Sequence, residues 1–339
     1  MIEIDGAKGE AGGQIVRTAV ALSTVTQRPF YIFNIRKGRR EPGLKLQHLA
    51  AVNAVADLCQ AKVENAKLGS QEIWFYPGEI QTKDLNIRIE SAGSIALVLQ
   101  SLFIALANNK EKIEIDFHGG GTHGKWAPTI GYLSHVFLPM VKKFGFNASV
   151  LVEKYGFYPK GGAEVIVTIK PSSLEKIDFT ERGDLESIKA AFLASRDLER
   201  NNVLDRAKRV ARNIIYKELQ IIPEIETEYA DTLSSGFSAD MYAQYNNSVL
   251  GSNALGEIGK HAEKVIEESI EFLIKHHQNG AAVDENLADQ LIPFLALVGG
   301  DIKTTEITNH CKTNIWVCEK FLPSRFSIDG NLIECALEK

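Results

Sequence analysis

The chain has 339 residues, 45% of them hydrophobic, and its 38 basic and 43 acidic side chains give a formal net charge of −5. This length and composition are typical of a globular protein of about two domains, and the acidic balance excludes a long basic surface that follows many phosphates. The sequence has neither an N-terminal leader pattern nor a run of roughly 18 uncharged apolar residues, so we expect a cytoplasmic protein without membrane contact.

Short strands alternate with helices over the first 170 residues. Runs rich in β-branched and aromatic residues predict five strands, at 2–5, 30–35, 73–76, 85–89 and 113–117. Apolar spacing predicts a helix over 44–60, and a second helix over 92–107 is apolar nearly all round, with Ser91 before it as an N-cap. Similar blocks recur near 14–90, 92–168 and after 286, which indicates a repeated architecture of sheets covered by helices.

Residues 184–280 follow a different order. A strand, a charged helix, two strands and a second helix are predicted at 188–193, 204–219, 225–229, 239–245 and 261–276. This order predicts a compact β-α-β-β-α domain inserted into the rest of the chain. The close-set charges on its helices are typical of solvated faces.

A glycine-rich stretch at residues 5–14 joins the first strand to a helix. Glycine lets backbone approach a ligand closely, and a helix N-terminus offers unpaired N–H groups, so such a junction can cradle phosphate, although a plain tight turn has the same pattern. Glu10 could face a triphosphate only through a divalent cation, and Arg17 could grip phosphate; a surface ion pair is the alternative for both.

A second candidate is the basic loop at residues 36–43, which holds four cations ahead of the helix predicted at 44–60. Arg36 and Arg39 are suited to an anion, and Gln47 on the following helix could add a neutral hydrogen bond beside them. A merely solvated surface loop has the same composition. The pattern alone leaves both interpretations open.

Two further glycine-rich stretches carry less specific signals. Residues 119–126 nearly match a P-loop, but Trp126 stands where the Ser or Thr that holds Mg²⁺ should be, so we reject that interpretation. Residues 155–163 set aromatic side chains between glycines and Lys160. That pattern favours a hairpin loop, with stacking on a nucleic-acid base as the alternative.

His310 lies in the segment Asn309-His310-Cys311-Lys312-Thr313-Asn314, between an apolar-alternating segment and a predicted helix. This position lets a side chain project from a strand end into a cleft. A lone histidine is usually structural, and no ligands at metal spacing surround it. A neutral imidazole can nevertheless attack phosphorus and form a phosphoramidate, so a nucleophilic role is chemically possible.

These motifs together resemble the RNA 3′-terminal phosphate cyclase family over nearly the whole chain. The resemblance is carried by residues 9–14, 36–43 with Gln47 and His48, 91–94, 156–162, 287–290 and 310–314. It implies an α+β fold of three repeated units, each with two helices on a four-stranded sheet. The catalytic domain would comprise residues 1–183 and 281–339, with the small domain 184–280 inserted in the third unit.

The resemblance also implies a reaction and its site residues. A histidine attacks ATP to give histidine-AMP, AMP passes to an RNA 3′-phosphate as RNA(3′)pp(5′)A, and the 2′-OH closes a 2′,3′-cyclic phosphate. His310 would be the nucleophile and Glu10 would help to hold Mg²⁺ or Mn²⁺. Adenosine and phosphate contacts would come from Gln100, Pro128, Asp289 and Gln290, and RNA or phosphate contacts from Arg17, Arg36, Arg39 and Gln47.

Four positions depart from the family pattern: Ala11 and Ala163 replace glycines, His123 stands in place of an Asp, and Asn286 stands where an aromatic ring often packs on adenine. The alternative function is that of a non-catalytic cyclase-like protein of ribosome assembly, which lacks the histidine and much of the arginine set. Nucleic-acid ligases are disfavoured because no Lys-x-Asp-Gly motif is present, and enolpyruvyl transferases share fold units only. The sequence leaves monomer and homodimer open.

Overall fold

The first 76 residues form a four-stranded sheet with two helices. The computed structural model describes residues 1–338 of the chain. The first 76 residues contain β1 (Ile2–Asp5), α1 (Gln14–Thr26), β2 (Phe30–Phe33), α2 (Leu46–Cys59), β3 (Lys62–Glu64) and β4 (Ile73–Tyr76). The strand order is β1-β2-β4-β3; β1 and β2 are parallel and the other neighbours antiparallel. Alternate side chains such as Phe30 and Ile32 are buried, because one face of the sheet packs on helices.

The next segment forms a second sheet with the same strand order. It contains β5 (Leu85–Ser94), α3 (Ile95–Ala105), β6 (Ile113–Gly121), α4 (Ile130–Tyr132), α5 (Leu138–Lys142), β7 (Ala148–Lys154) and β8 (Glu164–Ile169), with a π-helical turn between α4 and α5. The order is β5-β6-β8-β7, again with one parallel pair followed by two antiparallel pairs.

A strand of the third sheet, β9 (Ile177–Phe179), precedes a separate small unit. That unit contains β10 (Leu185–Ser195), α6 (Val203–Leu219), β11 (Glu224–Ala230), β12 (Phe237–Tyr245), β13 (Val249–Leu255) and α7 (Ala262–Asn279). Its strands lie in the order β11-β10-β12-β13. The helices α6 and α7 cover the sheet and share an apolar core with it that is distinct from the core of the other three sheets.

The chain then completes the third sheet with α8 (Glu285–Val298), β14 (Gly300–Lys303), α9 (Asn309–Phe321), β15 (Ser324–Asp329) and β16 (Leu332–Leu337). The order β9-β14-β16-β15 repeats the parallel and antiparallel pattern of the first two sheets. The α+β class predicted from the sequence is therefore confirmed.

The helices of the three sheets meet at the centre of the molecule. The helix α1 packs on α2, α3 and α9, while α8 packs on α9 and α3. Burial on all sides explains why α3 is apolar nearly all round; Gln100 is its one residue that is only half-buried. This arrangement brings the N-terminal ends of helices from different sheets close together.

Two predictions about local structure were wrong. The N-cap of α3 is Ser94 and not Ser91, because β5 continues alongside β6 as far as the Ser94–Gly121 pair, and the Ser94 hydroxyl then accepts a hydrogen bond from Leu97 N–H. The inserted unit also has a third consecutive strand, β13, so its order is β-α-β-β-β-α. Gly251 and Asn253 weaken the strand signal there, but antiparallel pairing with β12 and burial of Val249 and Leu250 stabilise it.

No helix within residues 1–338 is both long and apolar enough to cross a membrane.

Candidate active site

The loop between β1 and α1 packs so tightly that two of its glycines are required. A Cβ on Gly13 would lie 1.9 Å from His48 Nε2, and a Cβ on Gly9 would lie 2.2 Å from the Thr313 hydroxyl. Gly9 also has a left-handed φ of +59°. The loop is thus pressed against α2 on one side and against α9 on the other, so these two glycines are required by packing within the protein, and the prediction that the loop approaches a phosphate stays a prediction.

The helices α1 and α9 run side by side with their N-terminal ends together. Thr18 Oγ1 donates to Asn314 Oδ1 at 2.9 Å, and one turn earlier Gln14 contacts His310. The first turn of α9 contains His310, so this residue lies inside the helix and not between a strand and the helix as predicted. Two helix N-termini, each with unpaired N–H groups and a partial positive charge, therefore face the same space.

Both ring nitrogens of His310 have polar neighbours. Nδ1 is hydrogen-bonded to Gln14 Oε1, and the Gln14 amide nitrogen donates to the His310 carbonyl oxygen at 3.2 Å. Nε2 lies 2.9 Å from Glu10 Oε2. Burial lowers the pKa of His310, with smaller contributions from Arg17 and Arg39, while the charge of Glu10 acts in the opposite direction. With 45% of its side chain exposed, the histidine remains open to a ligand.

Two arginines lie beside this histidine and carboxylate. Arg39 Nη2 donates to the Glu10 carbonyl oxygen at 2.8 Å and lies 3.8 Å from the Glu10 carboxylate. Arg17 is half-buried on α1, and burial lowers its pKa to about 10, so it stays protonated at neutral pH. Within residues 1–338 Arg17 has no ion-pair or side-chain hydrogen-bond partner, so its charge is available to a ligand.

The other two residues predicted to bind phosphate have different surroundings. Arg36 Nη1 donates to the carbonyl oxygens of Glu41 and Gly43, so it closes its own loop while its charge stays in the basic segment. Gln47 is half-buried on the first turn of α2. Beside it, burial and nearby cations lower the pKa of His48 to about 3, so the ring is neutral and its Nδ1 accepts Lys45 N–H.

The residues predicted to contact adenosine lie on three neighbouring elements. Asp289 on α8 accepts a hydrogen bond from Thr308, the N-cap of α9, and burial raises its pKa to about 7. Gln290 follows it; its amide nitrogen donates to a backbone carbonyl, but its buried Oε1 has no partner within residues 1–338. Gln100 is on α3, which packs on α8, and Pro128 lies in the loop before α4.

The four departures from the family pattern have different consequences. Ala11 is buried with a left-handed φ of +50°, a conformation that favours glycine, whereas the backbone of Ala163 is unstrained. His123 is buried, with Nδ1 hydrogen-bonded to Thr122 and Nε2 3.7 Å from Asp240. Asn286 is exposed on the first turn of α8 and presents no ring for stacking.

Sequence reasoning missed two residues that shape the site. Gln14 was part of the glycine-rich motif, but only the structure brings it to His310, which lies far away in the chain. Thr308 caps α9 through Cys311 N–H and also donates to Asp289. A threonine just before a predicted helix is an N-cap signal that could have identified it.

The described residues contain no cluster of three or more His, Cys, Asp or Glu side chains that could hold a metal ion. Glu10 is a single, partly exposed carboxylate at the point where the two helix N-termini meet. Mg²⁺ is commonly held by one or two carboxylates together with substrate phosphates. Glu10 therefore fits a shared site of that kind, whereas an all-protein metal site does not fit.

Comparison with known proteins identifies the family of the chain. The family model described as RNA 3′-terminal phosphate cyclase matches residues 8–328. Proteins of that name from Thermococcus kodakarensis, Methanosarcina barkeri and Pyrococcus abyssi are 39%, 42% and 39% identical to the chain. The alignments cover 98%, 97% and 98% of this chain and 95%, 97% and 96% of the relatives. The chain belongs to the RNA 3′-terminal phosphate cyclase family.

Proposed function

We propose that this protein is an RNA 3′-terminal phosphate cyclase that uses ATP to convert an RNA 3′-phosphate into a 2′,3′-cyclic phosphate. The observation that carries this proposal is the position of His310. A partly exposed imidazole at the N-terminal ends of two helices touches a carboxylate and lies near two arginines. This arrangement suits an anionic ligand attacked by a nitrogen nucleophile.

The proposed reaction has three balanced steps. His310 Nε2 attacks the α-phosphorus of ATP, the bond to the β-phosphate oxygen breaks, and pyrophosphate leaves behind histidine-AMP. An oxygen of the RNA 3′-phosphate attacks the same phosphorus, which frees the histidine and gives RNA(3′)pp(5′)A. The neighbouring 2′-OH loses its proton as it attacks the 3′-phosphorus, AMP leaves, and the cyclic ester forms; the need for the 2′-OH restricts this step to ribose.

The charges near His310 match the demands of the first step. Negative charge grows on the phosphoryl oxygens as pyrophosphate leaves, and fixed positive groups stabilise it without reorganisation. Arg17, Arg39 and the two helix N-termini would supply these groups, and Arg36 and Gln47 would contact phosphate of the nucleotide or RNA. Glu10 would help to hold Mg²⁺ or Mn²⁺, which would neutralise charge on the triphosphate.

The adenosine moiety would bind along α8. The unpaired, buried Oε1 of Gln290 is an acceptor that suits an amino group such as that of adenine, because a buried acceptor without a donor is costly. Asp289 lies beside the N-cap of α9 and so close to the phosphates. Gln100 and Pro128 would line the remaining sides of the adenosine site. Because Asn286 is exposed and has no ring, adenine would bind here without the stacking aromatic of the family pattern.

We also propose that the three sheets of like order are copies of one unit, which form the catalytic domain from residues 1–183 and 281–339. Residues 184–280 would be a domain inserted in the third copy, as their separate core supports. A cytoplasmic location stays a prediction. Both a monomer and a homodimer stay open. The alternative of a non-catalytic ribosome-assembly protein is disfavoured, because His310, Glu10 and Arg39 lie in contact or within one salt-bridge distance.

The test is to incubate the protein with α-labelled ATP and Mg²⁺ or Mn²⁺ without RNA and to measure acid-labile label on the denatured chain. We expect the native protein to be labelled, and 3′-phosphorylated RNA to discharge the label into AMP and cyclic ends. His310→Ala should abolish labelling. His118→Ala is the matched control, since His118 is exposed on β6 and its ring makes no hydrogen bond within residues 1–338. An unlabelled native protein would contradict the proposal.

A further inference from the structure

Two exposed aromatic side chains lie on loops that contact each other, and they have no role in the reaction above. Trp126, in the loop between β6 and α4, is 96% exposed, and Tyr158, in the hairpin loop between β7 and β8, is 75% exposed. The hairpin predicted for residues 155–163 is confirmed by the antiparallel pairing of β7 and β8. The helix after β6 begins only at Ile130, so residues 119–126 are not a P-loop.

The loops of these two aromatic side chains contact each other, since His123 N–H donates to the Gly156 carbonyl oxygen at 3.3 Å, and each of them also contacts a loop of the inserted unit. Lys125 forms an ion pair of 3.0 Å with Glu257, which connects the loop of Trp126 to the loop between β13 and α7. The hairpin loop of Tyr158 contacts the loop between β11 and β12, where Lys160 N–H donates to the hydroxyl of Ser234. Two more exposed apolar side chains lie on the loops of the inserted unit: Leu233 and Ile258.

This surface is costly for the isolated protein. A fully exposed indole forgoes the burial that a large aromatic ring normally gains. Trp126 also has a left-handed φ of +62°, a conformation that side-chain-bearing residues rarely adopt. Exposed apolar area and local backbone strain together are typical of a surface that meets a ligand.

The loop of Trp126 leads towards residues proposed for the nucleotide site. Trp126 is two residues before Pro128, and the helix that starts after this loop carries Tyr132, whose hydroxyl donates to the buried Asp284 at 2.6 Å. Asp284 is the N-cap of α8, the helix of Asp289 and Gln290. The loop of Trp126 is therefore connected, through Tyr132, to the N-terminal end of the helix proposed to bind adenosine.

We propose that this surface, formed by Trp126, Tyr158, Lys125 and Lys160, binds the bases of single-stranded RNA upstream of the 3′-phosphate. The inference rests on the proposed function. Aromatic rings stack on any base, and Lys160, which has no carboxylate partner within residues 1–338, offers the opposite charge to the phosphates between them. Lys125 would exchange its exposed partner Glu257 for a phosphate. Such a small patch also agrees with the short, local contact that a net charge of −5 allows.

The experiment compares cyclisation of a ten-nucleotide 3′-phosphorylated RNA with that of a 3′-phosphorylated dinucleotide, which lacks the upstream bases that this surface is proposed to bind. We expect Trp126→Ala to raise KM about 10-fold for the long RNA, to leave kcat unchanged, and to leave KM for the dinucleotide unchanged. Trp126→Phe should retain most of the affinity because its ring still stacks. Tyr216→Ala, on the exposed face of α6, is the matched control and should change nothing.

Fluorescence provides a second readout that does not depend on catalysis. The chain has three tryptophans, and we expect quenching by the ten-nucleotide RNA in the native protein but not in Trp126→Phe. Equal KM changes on both RNAs, or quenching that survives in Trp126→Phe, would overturn the proposal. So would a change in sedimentation of Trp126→Ala without loss of RNA affinity, since the surface would then bind a second copy. If the native protein forms no adenylate, the proposed function fails, whereas the quenching experiment still tests this surface.

Discussion

The first and second sheets share one strand order but use the same junction in opposite ways. In the first sheet, residues 6–13 separate β1 from α1, and the N-cap of α1, Gly13, has no side-chain cap. In the second sheet, β5 passes directly into α3, and the side chain of its N-cap, Ser94, accepts a hydrogen bond from Leu97 N–H. The first N–H groups of α1 therefore have no side-chain partner and could bind the anion proposed above, whereas one of those of α3 is already paired within the protein.

The connection that follows the second strand also differs from sheet to sheet. In the first sheet it holds the basic loop of residues 36–43, in the second it holds Trp126, and in the third it leads into α9 with His310. One topology thus presents a basic loop, an exposed aromatic side chain and His310, the nucleophile proposed above, from equivalent positions. The rigid strands and helices are shared, and the loops between them differ, which is where function concentrates in most folds.

Among the variants that test this comparison, Gly13→Ala is expected to change stability and adenylation the most. The added Cβ would lie 1.9 Å from His48 Nε2, and His48 cannot easily move because its Nδ1 accepts Lys45 N–H. We expect the free energy of unfolding to fall by about 3 kcal/mol and adenylation to be lost. Chemical denaturation measures the first and labelling with α-labelled ATP the second.

Gly38→Ala is the control, because a Cβ at Gly38 would meet no atom within 4 Å, and its free energy of unfolding should change by less than about 0.5 kcal/mol. Similar stability of the two variants would mean that the loop before α1 can relax, and the tight cradle would then lose its physical basis.

A second prediction separates the two kinds of helix cap. Thr308→Ala removes the cap of α9 and the donor to Asp289, whereas Ser94→Ala removes only the cap of α3. We expect losses of about 2 and about 1 kcal/mol in unfolding free energy, respectively. Only Thr308→Ala should also reduce the rate of adenylation, because His310 lies in the turn that Thr308 begins. A comparable rate loss in Ser94→Ala would remove the distinction between a cap at the site and a cap in the core.

A third prediction concerns pH. Because burial raises the pKa of Asp289 from its ordinary value to about 7, the unfolded chain ionises first as pH rises. The stabilising effect of the protonated carboxyl is therefore complete below about pH 4 and is lost as pH approaches 7 and above. Asp289→Asn avoids this loss, and we expect it to be more stable than the native protein at pH 8 by about 1 kcal/mol, with a smaller difference at pH 5.

Thermal unfolding across this pH range measures the effect, with Asp57→Asn as the control because Asp57 is exposed on α2. A stability difference that does not vary with pH would show that Asp289 is not a perturbed carboxyl. Adenylation by Asp289→Asn should fall even where its stability rises, as is expected when a site residue is kept at a cost in stability.

Local patterns were sufficient to predict most helices and strands, but not which distant side chains come into contact. The spacing of Leu49, Val52 and Ala56 on α2 reports burial of one face, so the helix was predictable. The contact between Gln14 and His310 spans nearly the whole chain and depends on the packing of α1 on α9, which no local window contains. The strand β13 was missed for a similar reason, since pairing with β12 overrides the low strand propensity of Gly251.

The smallest expected effect compares the two alanines that replace family glycines. Ala11 has a φ of +50°, so Ala11→Gly should relieve backbone strain and raise the free energy of unfolding by about 0.5 kcal/mol, after the entropy gained by the unfolded chain is subtracted. Ala163 is fully buried and unstrained, so Ala163→Gly should lower that free energy by about 1 kcal/mol. Chemical denaturation of both variants measures these opposite signs. A loss of stability in Ala11→Gly would mean that the Ala11 methyl, buried in the loop before α1, contributes more by packing than its backbone costs.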